Sequence, residues 1–184
     1  MTILNEELSA APGDTFEYYI DQYKIKHSEG YTRFYQISPS FTSKHQIKDM
    51  IDRHGVKNLL DYGISSGTQY TEGKLHEYLE LESYTGYDPA VEKYSKRPER
   101  TFEGVLCYDV LEHVPEDSLD YVIQDVFSYA EKLVMFKMGL SHATAMLPNG
   151  ENAHITVKPL EWWREKINQH KPDDIAVYVH YMPL

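Results

Sequence analysis

Three short strand-forming runs in this chain each close on an aspartate: LLD at Leu59 to Asp61, YTGYD at Tyr84 to Asp88, and VLCYD at Val105 to Asp109. Runs of this length bounded by Gly or Pro read as strands buried in a sheet, and the segments that follow them carry the 3.6-residue spacing of helices. Strands that alternate with helices give an α/β domain, with a mostly parallel sheet and helices on both faces. The spacing predicts strands at Val56 to Tyr62, Ser83 to Asp88, Gly104 to Asp109 and Lys132 to Met138, and a last one inside DDIAVYVHYMPL. Helices are predicted from Thr15 to about Lys26, and then after caps at Ser40 to Ser43, with Ile47, Met50 and Ile51 on one face and Gly55 as the stop. Further helices are expected at Gln69 to Leu81, turning Leu75, Tyr78 and Leu79 inward, at Glu116 to Ala130, and at Pro159 to about Gln169.

A chain of 184 residues suits one domain. Residues 1–55 form its N-terminal helical segment, expected to lie as a lid over a site, and 56–184 its core. The net charge of -11 leaves no cationic surplus for gripping a phosphate backbone, so nucleic acid is not an expected partner. No apolar run has membrane-spanning length, Met1 to Pro12 lacks the features of a signal peptide, and the single Cys107 has no internal disulfide partner. A cytoplasmic location is the expectation. Sixteen tyrosines are many for this length, with Tyr18, Tyr19, Tyr23, Tyr31 and Tyr35 clustered early, where rings can cover a pocket.

In open parallel sheets, ligands bind outside the carboxyl ends of the strands, where the strand order reverses. That rule selects the stretch from Asp61 to Gly67 and the carboxylate of Asp88, the first for close backbone approach and the second as an acceptor for two ribose hydroxyls. Together they suggest a nucleoside. A dinucleotide fingerprint would need glycines at Ser65 and Thr68, and neither is glycine. What stands is D-x-G-x-S-x-G over Asp61, Gly63, Ser65 and Gly67. G-x-S-x-G is also the frame of a hydrolase nucleophile elbow, but no compelling acid and histidine pair accompanies it.

The ordered set LLDYGISSG, YTGYDPAV and FEGVLCYDVLEHVPEDSLDYVIQDVFSYA, followed downstream by LPNGENAHITVKPLEWW, resembles the class I S-adenosylmethionine-dependent methyltransferases, and most closely small phage and bacterial methyltransferase-like proteins. The likeness runs from about Leu59 to Ile167, and it implies a compact Rossmann-like fold that binds S-adenosyl-L-methionine. It further implies that Asp61, Gly63 and Gly67 shape the pocket around the methionine part, with Ser65 in the place of the family's middle glycine. Asp88 would bind ribose, and the stretch from Asp109 to His113 would line the cofactor or substrate side. Only about fourteen residues separate Asp88 from the strand near Phe102, so an edge strand is missing or shortened. Adenine would then rest on apolar contacts from Pro89, Val91 and Val110.

For the methyl acceptor, a small molecule or a protein side chain, the candidates are Glu112, His113, His154, Trp163 and Tyr19. No catalytic base stands out, and the histidines lack zinc-site spacing, so no metal is expected. Two other readings stay open. One is a noncatalytic nucleoside-binding or interaction protein with a degenerate cofactor loop; the other is an enzyme that consumes S-adenosylmethionine without an acceptor.

Overall fold

The computed structural model describes residues 11–28 and 39–182. Tyr31 and Tyr35 of the early tyrosine cluster lie outside the described residues. In chain order the elements are α1 (Phe16–Ser28), α2 (Pro39–Thr42), α3 (Lys44–His54), β1 (Asn58–Tyr62), α4 (Thr68–Thr71), α5 (Leu75–Tyr78), β2 (Ser83–Tyr87), β3 (Phe102–Tyr108), α6 (Leu119–Ser128), β4 (Ala130–Gly139), α7 (Leu160–Asn168) and β5 (Ala176–Met182). The five strands form one sheet in the order β2-β1-β3-β4-β5, and every pairing is parallel. The fold is therefore α/β and Rossmann-like. The chain leaves β1 toward β2 on one side and later returns to place β3 on the other, so the strand order reverses between β1 and β3.

The near-continuous apolar runs of the strands follow from burial on both faces. Successive side chains point to opposite sides of a strand, and β1 sends Leu59 to one core and Leu60 to the other. In β3 the alternation runs Val105, Leu106, Cys107, Tyr108, with the first and third on the face covered by α6 and α7. Val122, Ile123 and Val126 of α6 and Trp163 and Ile167 of α7 close that side. Ile47 and Ile51 of α3, with Tyr70, Leu75 and Leu79, close the other. The α3 helix ends as its sequence predicts, on Gly55 in the left-handed region (φ 61°).

Two predicted helices are corrected by the structure, and the expected loss of an edge strand is met. The Gln69 to Leu81 helix is two single turns, α4 and α5, because the chain breaks at Glu72 to Lys74, where Lys74 takes a left-handed φ of 53°. Tyr78 consequently faces solvent, while Leu75 and Leu79 stay buried. The Glu116 to Ala130 helix opens as a 3₁₀ turn at Glu116–Ser118 and ends at Ser128, since Ala130 already belongs to β4. The sheet itself stops at β2: between Asp88 and β3 there is only a 3₁₀ turn, Glu92–Tyr94, and no further edge strand. Among the described residues, no helix is long and apolar enough to cross a membrane.

Candidate functional site

A cavity of about 530 Å³ opens at the carboxyl ends of β1, β2 and β3, at the point of strand-order reversal, with α1 across its mouth. Its floor is the loop after β1. Gly63, Ser65 and Gly67 all have left-handed backbone, with φ of 83°, 55° and 69°. At Gly63 a side chain is excluded twice over, by the positive φ and because a Cβ would stand 2.3 Å from Val110 Cγ2. Gly63 and Ile64 donate their N–H groups to the Tyr87 carbonyl (2.7 and 3.2 Å), which ties the loop to the end of β2.

Asp88 carries the same tie. Its Oδ2 accepts the Ser65 N–H at 2.9 Å and its Oδ1 accepts the Ala90 N–H at 2.9 Å, so the carboxylate braces both loops while facing the cavity. Burial pushes its pKa up, opposed by the Ala90 N–H, by His27 reaching over from α1, and by the Ser65 N–H. Asp61 lies deeper and is buried, with Gln69 Nε2 donating to its Oδ2 at 3.3 Å. Its burial raises the pKa to about 6.

Serine in the left-handed region costs on the order of 1 kcal/mol relative to glycine. Ser65→Gly is therefore expected to bind the cavity's ligand as tightly or tighter, with its relief of strain partly offset by a more flexible unfolded chain. Ser65→Val should bind more weakly, since a β-branched residue tolerates that φ poorly. Calorimetric titration of the three proteins compares them. Weaker binding by the glycine variant would mean that the serine hydroxyl itself contacts the ligand.

The far wall is built from the end of β3 and the turn behind it. Asp109 also has a left-handed φ (61°), which Asp tolerates better than most residues, and its N–H is held by the Lys137 carbonyl at 2.7 Å. His113, in the 3₁₀ turn Leu111–His113, places Nε2 4.0 Å from Asp109 Oδ1. His154, from the long connection between β4 and α7, meets His113 edge-to-face with ring centroids 4.9 Å apart. Burial holds the His113 pKa below its ordinary value, against the pull of Asp109.

Of the residues singled out in the sequence, Asp61, Gly63, Ser65, Asp88, Pro89, Asp109, Val110, His113, His154 and Tyr19 all line this cavity. Four do not. Gly67 is roofed by Tyr94, whose hydroxyl sits 2.2 Å from where a Cβ would be. Val91 lies in the turn beyond, outside the lining. Glu112 is wholly buried behind the wall, with Oε1 accepting the Gly139 N–H, and burial followed by the Asp109 charge puts its pKa well above the carboxylate range. Trp163, expected as a substrate wall, is fully buried in the sheet core: one helical turn before Ile167, it shares the inward face of α7, and Trp162 takes the half-buried position beside it.

The sequence pointed to Tyr19 and Tyr23 in the cavity's roof, but not to Phe16, Ile20 or His27. Phe16, Tyr19, Ile20, Tyr23 and His27 line the cavity from α1, at the i, i+3, i+4, i+7 and i+11 positions of one helix face. That spacing was the available signal, blurred because the face is aromatic and no residue of α1 is buried. The helix is pinned at its start, where Gly13 N–H donates to Ser118 Oγ (2.9 Å) and Thr15 Oγ1 to Asp117 (3.0 Å). Farther along, Tyr19 donates to Glu151 (2.9 Å) and Tyr23 to the Ala153 carbonyl (2.5 Å). A chain beginning at Pro39 is expected to keep its fold, since α1 has no fully buried residue and gives the two cores only the partly buried Phe16, packed at the edge of the first. Its affinity for the cavity ligand should fall by at least about one decade, or roughly 1.4 kcal/mol. Paired thermal melts and titrations test this; equal loss of stability and affinity would make α1 an ordinary core element.

No protein-family model matches the chain, and no curated protein sequence matches it.

Proposed function

We propose that the cavity binds S-adenosyl-L-methionine and that the protein transfers its methyl group to a small molecule or a protein side chain. One observation carries this reading: a left-handed Gly63-Ser65-Gly67 loop and a buried strand-end carboxylate, Asp88, are braced against each other at the strand-order reversal of a parallel sheet. The volume is that of a small-molecule site and suits a nucleoside joined to an amino acid.

Each Asp88 oxygen has given one lone pair to a backbone N–H, and a carboxylate has about four acceptor positions, so both oxygens keep capacity for a ribose hydroxyl. Pro89, Ala90 and Val110 offer apolar contact for a base. Asp61, whose pKa is raised to about 6 by burial, would gain a partner in the ammonium group of the methionine part and ionise beside it. When bound, the sulfonium supplies an activated methyl group, whose bond to sulfur breaks as the bond to the acceptor forms. The residues' task is then alignment and exclusion of water, which α1 serves as a roof. An acceptor that carries a proton must release it as the methyl group arrives, to solvent or to a basic group lining the cavity. An intracellular, cytoplasmic setting fits this cofactor.

Titration calorimetry with S-adenosylmethionine and S-adenosylhomocysteine is the test, followed by product analysis with and without cell extract. Micromolar binding of both with methyl transfer only when extract is present supports the proposal. Turnover without extract means an acceptor-independent enzyme. Binding with no turnover in either case means a noncatalytic binder, and absence of binding overturns the reading.

A further inference from the structure

We infer that Asp109, His113 and His154 form a binding site for one divalent first-row transition-metal ion, opening onto the cavity. The three residues come from separate places: Asp109 from the end of β3, His113 from the turn behind it, and His154 from the β4–α7 connection. One donor atom from each lies within 4.8 Å of the other two. Metal bonds of about 2.1 Å at a tetrahedral angle put donor atoms roughly 3.4 Å apart, so small side-chain rotations close the set.

The tautomers are already chosen. His113 Nδ1 stands 2.8 Å from the Ala153 carbonyl and His154 Nδ1 stands 2.5 Å from the Ser141 carbonyl. A carbonyl oxygen only accepts, so each Nδ1 carries the hydrogen and each Nε2 is left with its lone pair. Metal-binding histidines are oriented in this manner, by a backbone carbonyl on the nitrogen away from the ion. Tyr23 strengthens the arrangement, because its hydroxyl donates to the same Ala153 carbonyl and lies 2.9 Å from His113 Nδ1. Gly139 makes room for it: a Cβ there would come 2.6 Å from His154 Cε1. Behind the cluster, Glu112 is wholly buried beside the Asp109 carboxylate, and a cation in front of the two carboxyl groups would offset their mutual repulsion.

Two imidazoles with one carboxylate suit Zn²⁺, Mn²⁺, Fe²⁺ or Co²⁺, whereas Mg²⁺ and Ca²⁺ prefer oxygen ligands. Three protein ligands leave at least one coordination position, and it faces the cavity. An oxygen ligand placed there would be polarised and would lose its proton more easily. If the methyltransferase reading holds, the acceptor at this position is a hydroxyl compound, whose oxygen takes the methyl group after releasing its proton to solvent.

The test uses untagged full-length protein, stripped with EDTA, desalted, and titrated with ZnCl₂, MnCl₂ and CoCl₂ in the absence of S-adenosylmethionine, so that its outcome is separate from that of the cofactor proposal. Expected are one equivalent bound and, with Co²⁺, a visible d–d absorption of a site with nitrogen and oxygen donors. Asp109→Asn and His154→Gln, checked for folding by circular dichroism, should each weaken binding by more than the roughly 10- to 100-fold that follows loss of an outer-shell partner. His54→Ala, at the opposite end of the sheet, should bind as the parent does. Failure of all three ions to bind the parent protein stoichiometrically overturns the site, and so does undiminished binding by both folded cluster variants.

Discussion

Asp88→Ala is expected to weaken S-adenosylmethionine binding by about one to two decades, because charge-assisted hydrogen bonds to the ribose hydroxyls are worth roughly 1.5 to 3 kcal/mol. The structure adds a second loss. The same carboxylate accepts the Ser65 and Ala90 N–H groups, so its removal releases the loop on which the methionine part would rest and leaves two N–H groups without an acceptor. A fall in stability of about 1 to 2 kcal/mol should accompany the fall in affinity. Asp88→Asn retains one acceptor oxygen and turns its amide toward the other N–H, so it should lie between the two in both measurements. Calorimetric titration with thermal melts of each variant decides the matter. A folded Asp88→Ala protein with unchanged affinity would remove Asp88 from the binding site.

Arg97→Met should cost about 3 kcal/mol of stability at neutral pH, the lower end of what is seen when one partner of a buried ion pair is removed. Asp125 on α6 is fully buried, and its carboxylate is satisfied by the Arg97 guanidinium and by the Tyr62 hydroxyl at 2.7 Å. Arg97 itself is 35% exposed and lies near the faces of Tyr87 and Tyr129, which is why the lower figure applies. Without Arg97 only the Tyr62 hydroxyl remains. Burial already raises the Asp125 pKa, with the Arg97 charge and the Tyr62 hydrogen bond opposing, and loss of the charge raises it further. A carboxyl whose folded pKa exceeds its unfolded value destabilises most above the folded pKa, and the penalty fades as pH falls toward the unfolded value near 4. The stability gap between parent and variant should therefore narrow from pH 7 to pH 5. The double variant Arg97→Met with Asp125→Leu should recover most of the loss, since an apolar pair of similar volume leaves no buried charge. Urea denaturation at the two pH values reads all of this, and a pH-independent gap would show that Arg97 acts by packing alone.

Much of the site was legible because its signals are local. An apolar run that closes on an acidic residue is read from five or six residues, and Asp61, Asp88 and Asp109, with Gly63 after the first, all line one cavity. The left-handed backbone at Gly63 follows from the turn at that position, and Ser65 shares it because the loop's path is set by its ties to Tyr87 and Asp88 rather than by its own preference. The expected helix after β1 breaks at Gly73, a poor helix former, with Lys74 left-handed beside it.

Composition and spacing determined the α/β class, the burial of both sheet faces and the early end of the sheet at β2, since strand periodicity and connection length are properties of the chain alone. Which tryptophan faces inward was a different matter: Trp162 and Trp163 are adjacent and equally apolar, and the packing of α7 on the sheet buried Trp163 together with Ile167. The aromatic face of α1 became a roof only once the helix was pinned to Ser118, Asp117, Glu151 and Ala153, all far away in the sequence. Likewise no spacing rule joins His154 to Asp109 and His113; they meet because parallel strands bring their carboxyl ends, and the loops that leave them, to one edge of the sheet. Local backbone preference acts over a few residues, whereas a cluster of side chains is set by packing between elements, and that is where the tertiary structure decided.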